Sequence, residues 1–274
     1  MSQRLHGVGL TRPRPISDGR FRLFVLHHAG GSHLGYMDWV RHFPSDWDVC
    51  LVDAPGRGRS LGTEPLREAE ALAHRIHDRL LPELDRPYGI FGHSMGGLLT
   101  YELADLLAAA DARAPTWLGI SAWSPRPESE PSEERYLCSS EELRQGLAGL
   151  GGTPDEVLYN EELWRFLEPL IRADLQVVDT WRPRSRWESP RTPLSVFGGE
   201  SDTGVPPELL NGWRDRWRGP VNVRVYPGGH FYLGECPAEV AAHITEDVES
   251  ILVTGHGGRT DGSDREGPAQ AAHQ

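Results

Sequence analysis

The sequence predicts an α/β fold, in which a mostly parallel central sheet is flanked by helices. Short apolar segments bounded by Gly, Pro or Asp alternate along the chain with longer segments of helical periodicity. Continuous apolar runs are typical of parallel strands buried on both faces, and their alternation with helices favours a parallel sheet. The predicted strands are residues 21–28, 48–53, 87–93, 116–122, 192–199 and 221–227.

Four amphipathic segments are predicted to be the helices between and after these strands. In each segment, apolar residues recur at spacings of three and four with charged residues on the opposite face. Two of the segments have proline near the first turn, where its missing N–H costs nothing. The predicted helices are residues 65–84, 95–110, 206–217 and 237–253.

Residues 124–190 interrupt the alternation of strands and helices. They contain several helical patterns but no convincing strand, and they lie between two predicted strands. Ligands of open α/β folds bind at the carboxyl edge of the sheet, and such insertions usually lie above it. We therefore expect a helical lid, with a helical decoration that has no role in access as the alternative. We expect one domain over residues 1–254, followed by a disordered tail over residues 255–274, which has no large apolar side chain.

Charge, apolar runs and cysteine spacing argue against nucleic-acid binding, a membrane helix, a secretory signal and a cysteine metal site. The chain of 274 residues has a formal net charge of -12, whereas binding to nucleic acid needs clustered positive charge. No apolar run approaches the ~20 residues of a membrane helix, and residues 1–20 lack the apolar core of a secretory signal. Cys50, Cys138 and Cys236 are widely spaced and show no metal-ligand spacing. These features predict a reduced cytoplasmic protein.

The stretch 92–96, Gly-His-Ser-Met-Gly, has the G-x-S-x-G pattern where a predicted strand passes into a predicted helix. The pattern is typical of the nucleophile elbow of the α/β-hydrolase fold, a sharp turn that presents a serine hydroxyl above the sheet. Glycine is needed two residues before and after the serine, because a side chain there would collide with neighbouring backbone. We predict Ser94 as the nucleophile; a purely structural turn is the alternative.

A serine hydroxyl needs a base to take its proton, and in this fold the acid and then the histidine follow the serine along the chain. His230 comes after the last predicted strand and a Gly-Gly turn, and Phe231 and Tyr232 flank it with apolar surface. Among the 12 histidines, it alone has this position. We therefore predict His230 as the base.

The acid of the predicted site should end the strand before that histidine. Asp202 lies just past the predicted strand 192–199, where a short carboxylate can reach the imidazole and stay buried. Glu200 is the alternative acid, and Asp202 could instead cap the helix that follows. We predict Asp202.

The oxyanion of a tetrahedral intermediate needs backbone N–H donors. One is the amide of the residue after the nucleophile, Met95, and another comes from the loop after an early strand. Residues 24–36 read FVLHHAGGSHLGY, where glycines allow the backbone to approach a substrate. We predict Ala29 as the second donor, with Gly30 beside it.

Together these segments resemble the type II thioesterases of polyketide synthase and nonribosomal peptide synthetase systems, a family of α/β-hydrolases. The resemblance spans residues 20–253. It is carried by LHHAGGS near the start, DAPGRGRS at 53–60, GHSMGG, the lid segment LGGTPDEVL…LEPLIRAD, and GGHFYL near the end. It implies the triad Ser94, Asp202 and His230 and the oxyanion donors Ala29 and Met95.

The early loop departs from the family's pattern. The family commonly has proline and an aromatic residue before Ala-Gly-Gly, whereas this chain has His27 and His28. Either histidine could line the site. We expect His28, together with Gly30, to bind substrate, and a packed structural histidine is the alternative. The sequence leaves open whether Arg57 of PGRG has a catalytic role or a structural role that fixes its loop.

The resemblance implies hydrolysis of acyl thioesters on the phosphopantetheine arm of carrier proteins in polyketide and nonribosomal peptide biosynthesis, including antibiotic biosynthesis. Such an enzyme edits, because it removes acyl units that stall an assembly line. No cofactor is implied, since the substrate carries the phosphopantetheine. The chain contains no carrier-protein module. We therefore expect acyl or peptidyl carrier proteins as partners in trans, and a cytoplasmic monomer that binds neither nucleic acid nor membrane.

Three alternative functions stay open on the sequence. A carboxylesterase or lipase would use the same triad on oxygen esters, and a product-releasing thioesterase would act on a full-length product. An inactive hydrolase that serves as a binding module is the third. A cluster at the exit of the lid could contact a carrier or its phosphate, or could form a solvated basic loop. Its members are Arg182, Arg184, Arg186 and Arg191.

Overall fold

Seven strands form one sheet in the computed structural model, which describes residues 7–110, 113–124, 134–183 and 190–256. The strands are β1 (Gly9–Thr11), β2 (Phe21–Leu26), β3 (Trp47–Asp53), β4 (Tyr88–His93), β5 (Trp117–Ser121), β6 (Leu194–Gly199) and β7 (Val221–Tyr226). Their order is β1-β3-β2-β4-β5-β6-β7, and every neighbouring pair is parallel except β1 with β3. The predicted α/β fold with a mostly parallel sheet is confirmed.

Each predicted strand segment contains a strand, whereas β1 was not predicted. It is three residues long and pairs antiparallel with β3 at the edge of the sheet. A strand this short shows no apolar run in the sequence, so no periodicity marks it.

Eight α-helices lie among the described residues. They are α1 (Ala69–Leu80), α2 (Met95–Ala109), α3 (Ser140–Leu150), α4 (Asp155–Tyr159), α5 (Glu161–Thr180), α6 (Pro207–Asn211), α7 (Trp213–Arg216) and α8 (Pro237–His256). The segment predicted as one helix over 206–217 is two short helices, which meet at Gly212. Helix α8 continues to His256, past the predicted domain end at 254. Residues 257–274, most of the predicted tail, lie outside the described residues.

Apolar side chains cover both faces of the sheet, as continuous apolar strands require. One face packs against α1, α2, α6 and α7; its residues include Phe24, Ile90, Leu118, Val196, Leu72, Leu98 and Trp213. The other packs against α8 and the segment that follows β2; its residues include Leu23, Val49, Phe91, Phe197, Trp39 and Ile244. With both faces covered, the carboxyl edge of the parallel strands is where loops can build a site.

Helices α3, α4 and α5 lie between β5 and β6 in the chain, within the segment predicted as a lid (residues 124–190, here the lid segment). They share a small core of their own, against which Ala29 of the loop after β2 also packs. That core comprises Leu143, Leu147, Leu158, Trp164, Ile171 and Leu175. The lid segment thus rests on the loop that was predicted to supply an oxyanion donor.

Aromatic rings fasten the end of α5 to the main core. The ring centroid of Trp181, which follows α5, lies 5.3 Å from that of Trp123 and 5.7 Å from that of Tyr101. Its indole N–H also donates to the carboxylate of Glu102 on α2, at 2.7 Å. The lid segment is therefore tied to helix α2 at its exit.

Within the part of the chain that the structure describes, no helix is long and apolar enough to cross a membrane.

Candidate active site

The turn between β4 and α2 holds Ser94 in a conformation that side chains rarely adopt. Its φ is 54° and its ψ is -113°. A Cβ added to Gly92 would overlap the carbonyl oxygen of Gly96, and one added to Gly96 would overlap the carbonyl oxygen of Leu26. The two glycines therefore allow strand, turn and helix to come this close. The turn leaves Ser94 partly exposed at the carboxyl edge of the sheet.

Three side chains from three loops form one hydrogen-bonded chain. Nε2 of His230 lies 2.9 Å from Oγ of Ser94, and its Nδ1 lies 2.7 Å from Oδ2 of Asp202. The loops follow β4, β6 and β7. An ionised carboxylate only accepts, so Nδ1 of the imidazole donates to it and Nε2 is left to accept the serine proton. This arrangement can perform nucleophilic acyl transfer.

Asp202 is buried and its two oxygens have separate partners. While Oδ2 faces the histidine, Oδ1 accepts the backbone N–H groups of Gly204 at 2.9 Å and Val205 at 3.1 Å. These bonds shape the turn before α6, whose N-cap is Pro206, so Asp202 does not cap that helix. Glu200, the alternative acid, is exposed. The geometry thus brings together the three residues that the sequence predicted as a triad.

Phe231 lies at the centre of the ring contacts around the histidine. Its ring centroid lies 5.2 Å from that of His230 and 4.8 Å from that of His28, both edge-on. From the lid segment, Gly152 packs so closely on Phe231 that a Cβ there would come within 2.5 Å of the ring. The lid segment therefore contacts the histidine loop as well as the loop after β2.

His93, the variable residue of the elbow, is buried beside His230, with ring centroids 5.4 Å apart. Its Nδ1 lies 2.7 Å from Oγ of Ser121, which lies 2.6 Å from the hydroxyl of Tyr232. Burial, and then the neighbouring His230, holds the pKa of His93 well below its usual range. Its Nε2 has no hydrogen-bond partner among the described residues. The neutral ring of His93 therefore packs beside His230 without adding positive charge.

The two predicted oxyanion donors belong to segments that meet at the elbow, and their role stays a prediction. Met95 is the first residue of α2, so its N–H has no carbonyl in a preceding helical turn to bind, and the helix dipole favours negative charge there. Leu26 of β2 pairs with Gly92 of β4, which brings the loop of Ala29 beside the elbow. The N–H of Gly30 donates to Asp174 of α5 at 2.7 Å. The amide of Gly30 is thus already bonded to the carboxylate of Asp174, and the predicted contact of Gly30 with substrate stays a prediction.

The two histidines of this loop have different environments. His27 is buried; its Nε2 accepts the N–H of Ala54 at 3.2 Å, so its Nδ1 donates to the carbonyl of His28 at 2.7 Å. Burial lowers the pKa of His27 to about 3. His28 is partly exposed, with Nδ1 3.2 Å from the hydroxyl of Tyr36, and burial lowers its pKa to about 4. His27 is thus a structural tie, and His28 is the one that faces open space.

That space is a cavity of about 320 Å³ between the segment after β2 and the histidine loop. Its lining includes His28, Tyr36, Trp39, His93, Gly152, Phe231 and Leu233. His28 therefore lines a cavity whose lining does not include the three triad residues, and its predicted role in binding substrate stays a prediction.

Arg57 is buried and forms an ion pair with Asp174, which is buried in turn. Both guanidinium nitrogens of the fork contact the carboxylate, one of them at 2.7 Å. Arg57 also donates to the carbonyl of Pro55 in its own loop at 3.3 Å, so it joins that loop to helix α5, which fits the structural role weighed for it. Sequence reasoning did not single out Asp174. A carboxylate in the apolar pattern PLIRADLQVV was the available signal, because an acidic residue on a buried helix face needs a partner.

The predicted arginine cluster is only partly described. Arg182 donates to the carbonyl groups of Asp179 at 2.9 Å and Trp181 at 2.7 Å. Arg184 and Arg186 lie outside the described residues. The role of the cluster stays a prediction.

Comparison with known families decides what this arrangement belongs to. The family model described as "Thioesterase domain" matches residues 21–249, which is most of the chain. The chain belongs to the thioesterase family. Its sequence is 29% identical over 236 residues to the gramicidin S biosynthesis protein GrsT of Aneurinibacillus migulanus, with 86% of this chain and 92% of that protein covered.

Solved structures agree with this assignment. This thioesterase is similar to the type II thioesterase BorB of the borrelidin biosynthetic cluster, with a TM-score of 0.79, 31% identity and coverage of 87% of this chain and 97% of the other. It is also similar to RedJ, a thioesterase of the prodiginine pathway in Streptomyces coelicolor, with a TM-score of 0.77, 29% identity and coverage of 85% and 91%. The predicted type II thioesterase family, the α/β-hydrolase fold and the serine-hydrolase class are confirmed.

Proposed function

We propose that this thioesterase hydrolyses acyl thioesters on the phosphopantetheine arm of carrier proteins of a polyketide or nonribosomal peptide assembly line. The single observation that carries the proposal is the chain from Ser94 through His230 to Asp202, closed by contacts of 2.9 Å and 2.7 Å in a member of this family. The relatives GrsT, BorB and RedJ come from biosynthetic pathways, and the similar structure of YbtT is that of a type II thioesterase from a nonribosomal peptide and polyketide pathway, which supports carrier proteins as the partners in trans.

In the first half-reaction, Oγ of Ser94 attacks the thioester carbonyl carbon while Nε2 of His230 takes the hydroxyl proton. Asp202 holds the imidazole in the tautomer that can accept it and stabilises the imidazolium that forms. The tetrahedral intermediate then collapses as the C–S bond breaks. The imidazolium returns its proton to the sulfur, so the arm leaves as a neutral thiol and the acyl group stays on Ser94.

In the second half-reaction, a water attacks the acyl-serine ester and His230 takes its proton. Collapse of the second intermediate breaks the bond between the acyl carbon and Oγ, and the imidazolium returns the proton to Ser94. The products are a carboxylic acid and the free enzyme. General acid–base help of this kind typically contributes roughly 100- to 10,000-fold to the rate.

The oxyanion of both intermediates is assigned to the N–H groups of Met95 and Ala29. Loss of one such donor typically lowers turnover by roughly 100- to 1,000-fold. Because both donors are main-chain groups, side-chain substitutions at these positions would understate their role.

The proposed steps need no metal or organic cofactor, since Ser94 is the nucleophile and the substrate brings its own phosphopantetheine. We further propose that the enzyme acts as a monomer in the cytoplasm. Its three cysteines are all free thiols, as expected for a reducing compartment.

The proposal is tested by presenting one short acyl group in three ways: on a holo carrier protein, on coenzyme A and as a simple oxygen ester. Wild type and Ser94→Ala are assayed side by side. A higher kcat/KM for the carrier-bound thioester, lost in the alanine variant, supports the proposal. Equal or faster cleavage of the oxygen ester overturns it in favour of a general esterase.

A further inference from the structure

The buried pair Arg57–Asp174 joins three segments that meet at the site: the PGRG loop after β3, helix α5 of the lid segment and the loop after β2. We propose that Asp174, held by Arg57, is a positioning residue of the oxyanion hole. According to this proposal, the oxyanion hole is complete only when α5 packs against the loop after β2. The inference rests on the proposed function, because it concerns the donor assigned there to Ala29.

The carboxylate of Asp174 divides its two oxygens between the loop and the arginine. Oδ2 accepts the N–H of Gly30 at 2.7 Å and also contacts Nη1 of Arg57, while Oδ1 accepts Nη2 at 2.7 Å. The same guanidinium donates from Nη1 to the carbonyl of Gly31 at 3.3 Å. One ion pair therefore holds an N–H and a C=O of consecutive loop residues.

These bonds restrict Ala29 through the rigidity of its two peptide groups. The N–H of Gly30 belongs to the peptide plane that follows Ala29, and Asp174 fixes that plane. The carbonyl of His28 belongs to the plane that precedes it; this carbonyl accepts Nδ1–H of His27 at 2.7 Å and the N–H of Gly31 at 3.0 Å. In a trans peptide the N–H points opposite to the C=O. The Ala29 N–H is thus directed away from the partners that hold the carbonyl of His28.

The apolar contacts of α5 agree with this close seating. Gly30 has a φ of +75°, and a Cβ there would lie 2.9 Å from Cγ1 of Ile171, which is three residues before Asp174 on α5. The loop therefore needs glycine at this position both for its backbone conformation and for the approach of α5. If α5 left, the Gly30 amide would lose its acceptor and the guanidinium of Arg57 would lose its counterion.

A second ion pair on α5 provides a matched control. Asp179 is also buried and pairs with Arg135 of the lid segment, Nη2 to Oδ1 at 2.6 Å. It shares helix, charge and burial with Asp174, and its partner belongs to the lid segment instead of the PGRG loop. A variant of Asp179 therefore tests the loss of an ion pair within the lid segment, whereas a variant of Asp174 tests the contact with the loop after β2.

The test compares Asp174→Leu, Asp179→Leu and the double variant Arg57→Met/Asp174→Leu. The double variant removes both charges together, and apolar replacement of a buried ion pair often restores stability. We measure kcat and KM on an acyl-coenzyme A and on a p-nitrophenyl ester, the inhibition constant of an acyl trifluoromethyl ketone that forms an oxyanion on Ser94, and the melting temperature.

We expect Asp174→Leu to lower kcat by ~100-fold and to change KM by less than ~3-fold. The inhibition constant of the ketone should rise by a factor similar to the loss of kcat. The double variant should regain the melting temperature and keep the loss of kcat, whereas Asp179→Leu should lower stability and leave kcat within ~3-fold. Recovery of kcat together with stability in the double variant, or an equal loss of kcat in Asp179→Leu, overturns the inference. Cleavage of the p-nitrophenyl ester without any cleavage of the acyl-coenzyme A by wild type would count only against the proposed thioester substrate, because hydrolysis of either compound needs the same oxyanion hole.

Discussion

Oδ2 of Asp202 lies 2.7 Å from Nδ1 of His230, while its other oxygen is held by two backbone amides. Asn at position 202 would offer the imidazole an N–H group or disturb the turn, and the histidine would lose the tautomer that accepts the serine proton. We expect Asp202→Asn to lower kcat by about 10,000-fold, as loss of the equivalent carboxylate does in serine proteases. Steady-state kinetics on an acyl-coenzyme A measures it.

The exposed neighbour Glu200 is the control for that variant. Glu200→Gln should leave kcat within ~2-fold, because this carboxylate lies outside the hydrogen-bonded chain. A large loss in Glu200→Gln with activity retained in Asp202→Asn would reverse the assignment of the acid.

The strained backbone of Ser94 predicts a separation of stability from activity. A residue with a Cβ at a φ of 54° and a ψ of -113° costs about 1–3 kcal/mol, and glycine does not incur that cost. Ser94→Ala and Ser94→Gly both lose the hydroxyl, so both should be inactive. The free energy of unfolding, measured by denaturation in urea, should be about 1 kcal/mol higher for Ser94→Gly than for Ser94→Ala. Equal stabilities would show that the turn is unstrained.

The close approach at the elbow predicts the cost of a single methyl group. Gly92→Ala places a Cβ against the carbonyl oxygen of Gly96, and backbone cannot move aside as a flexible side chain would. We expect a loss of more than about 3 kcal/mol in the free energy of unfolding, or no folded protein. Circular dichroism during denaturation measures it.

Gly146 is the matched control, since it lies exposed in α3 and a Cβ there would meet no described atom within 4 Å. Gly146→Ala should raise stability by about 0.5–1 kcal/mol through helix propensity. A destabilised Gly146→Ala beside a tolerated Gly92→Ala would contradict the geometry of the elbow.

The buried neutral His27 predicts that stability falls in acid. Its pKa is about 3 in the folded protein against an ordinary 6.5, so below pH 6.5 the unfolded chain binds a proton that the folded chain does not. The free energy of unfolding should therefore decrease as pH falls from about 6.5 towards 3, by up to about 1.4 kcal/mol per pH unit from this group. Denaturation at pH 7, 6, 5 and 4 measures the slope.

Replacing the histidine isolates its share of that slope, because the other titrating groups remain. His27→Gln should lower the slope of the free energy of unfolding against pH, between pH 4 and 6, by close to the amount expected for one proton. An unchanged slope in His27→Gln would mean that another group causes the loss.

Local patterns were sufficient for the sheet and for two members of the triad. The strands from β2 to β7 are apolar runs between breakers, and burial on both faces makes such runs visible in the sequence. Ser94 follows from its glycine-flanked turn, and His230 from its place after the last strand. Strand β1 escaped prediction because three residues carry no period, and its pairing with β3 is a long-range contact.

The support of the site was harder to predict than its reacting groups. Arg57 and Asp174 are far apart in sequence, and either charge alone is an ordinary surface residue until the fold buries both. His27 and His28 are adjacent, yet one ties the loop to Ala54 and the other faces a cavity. Which way each ring turns depends on partners from other segments, which a single sequence does not identify.

Trp181 is one of nine tryptophans, and its aromatic contacts make its share of the enzyme's fluorescence depend on the position of the lid segment. Its indole follows α5 and packs edge-on against Trp123 of the core, and its emission depends on those neighbours. A movement that lifts the end of the lid segment would change the contribution of Trp181 to the wavelength and lifetime of the total tryptophan emission. Ser94→Ala, which should hold substrate without turnover, could then be titrated with carriers in a fluorimeter, without a dye.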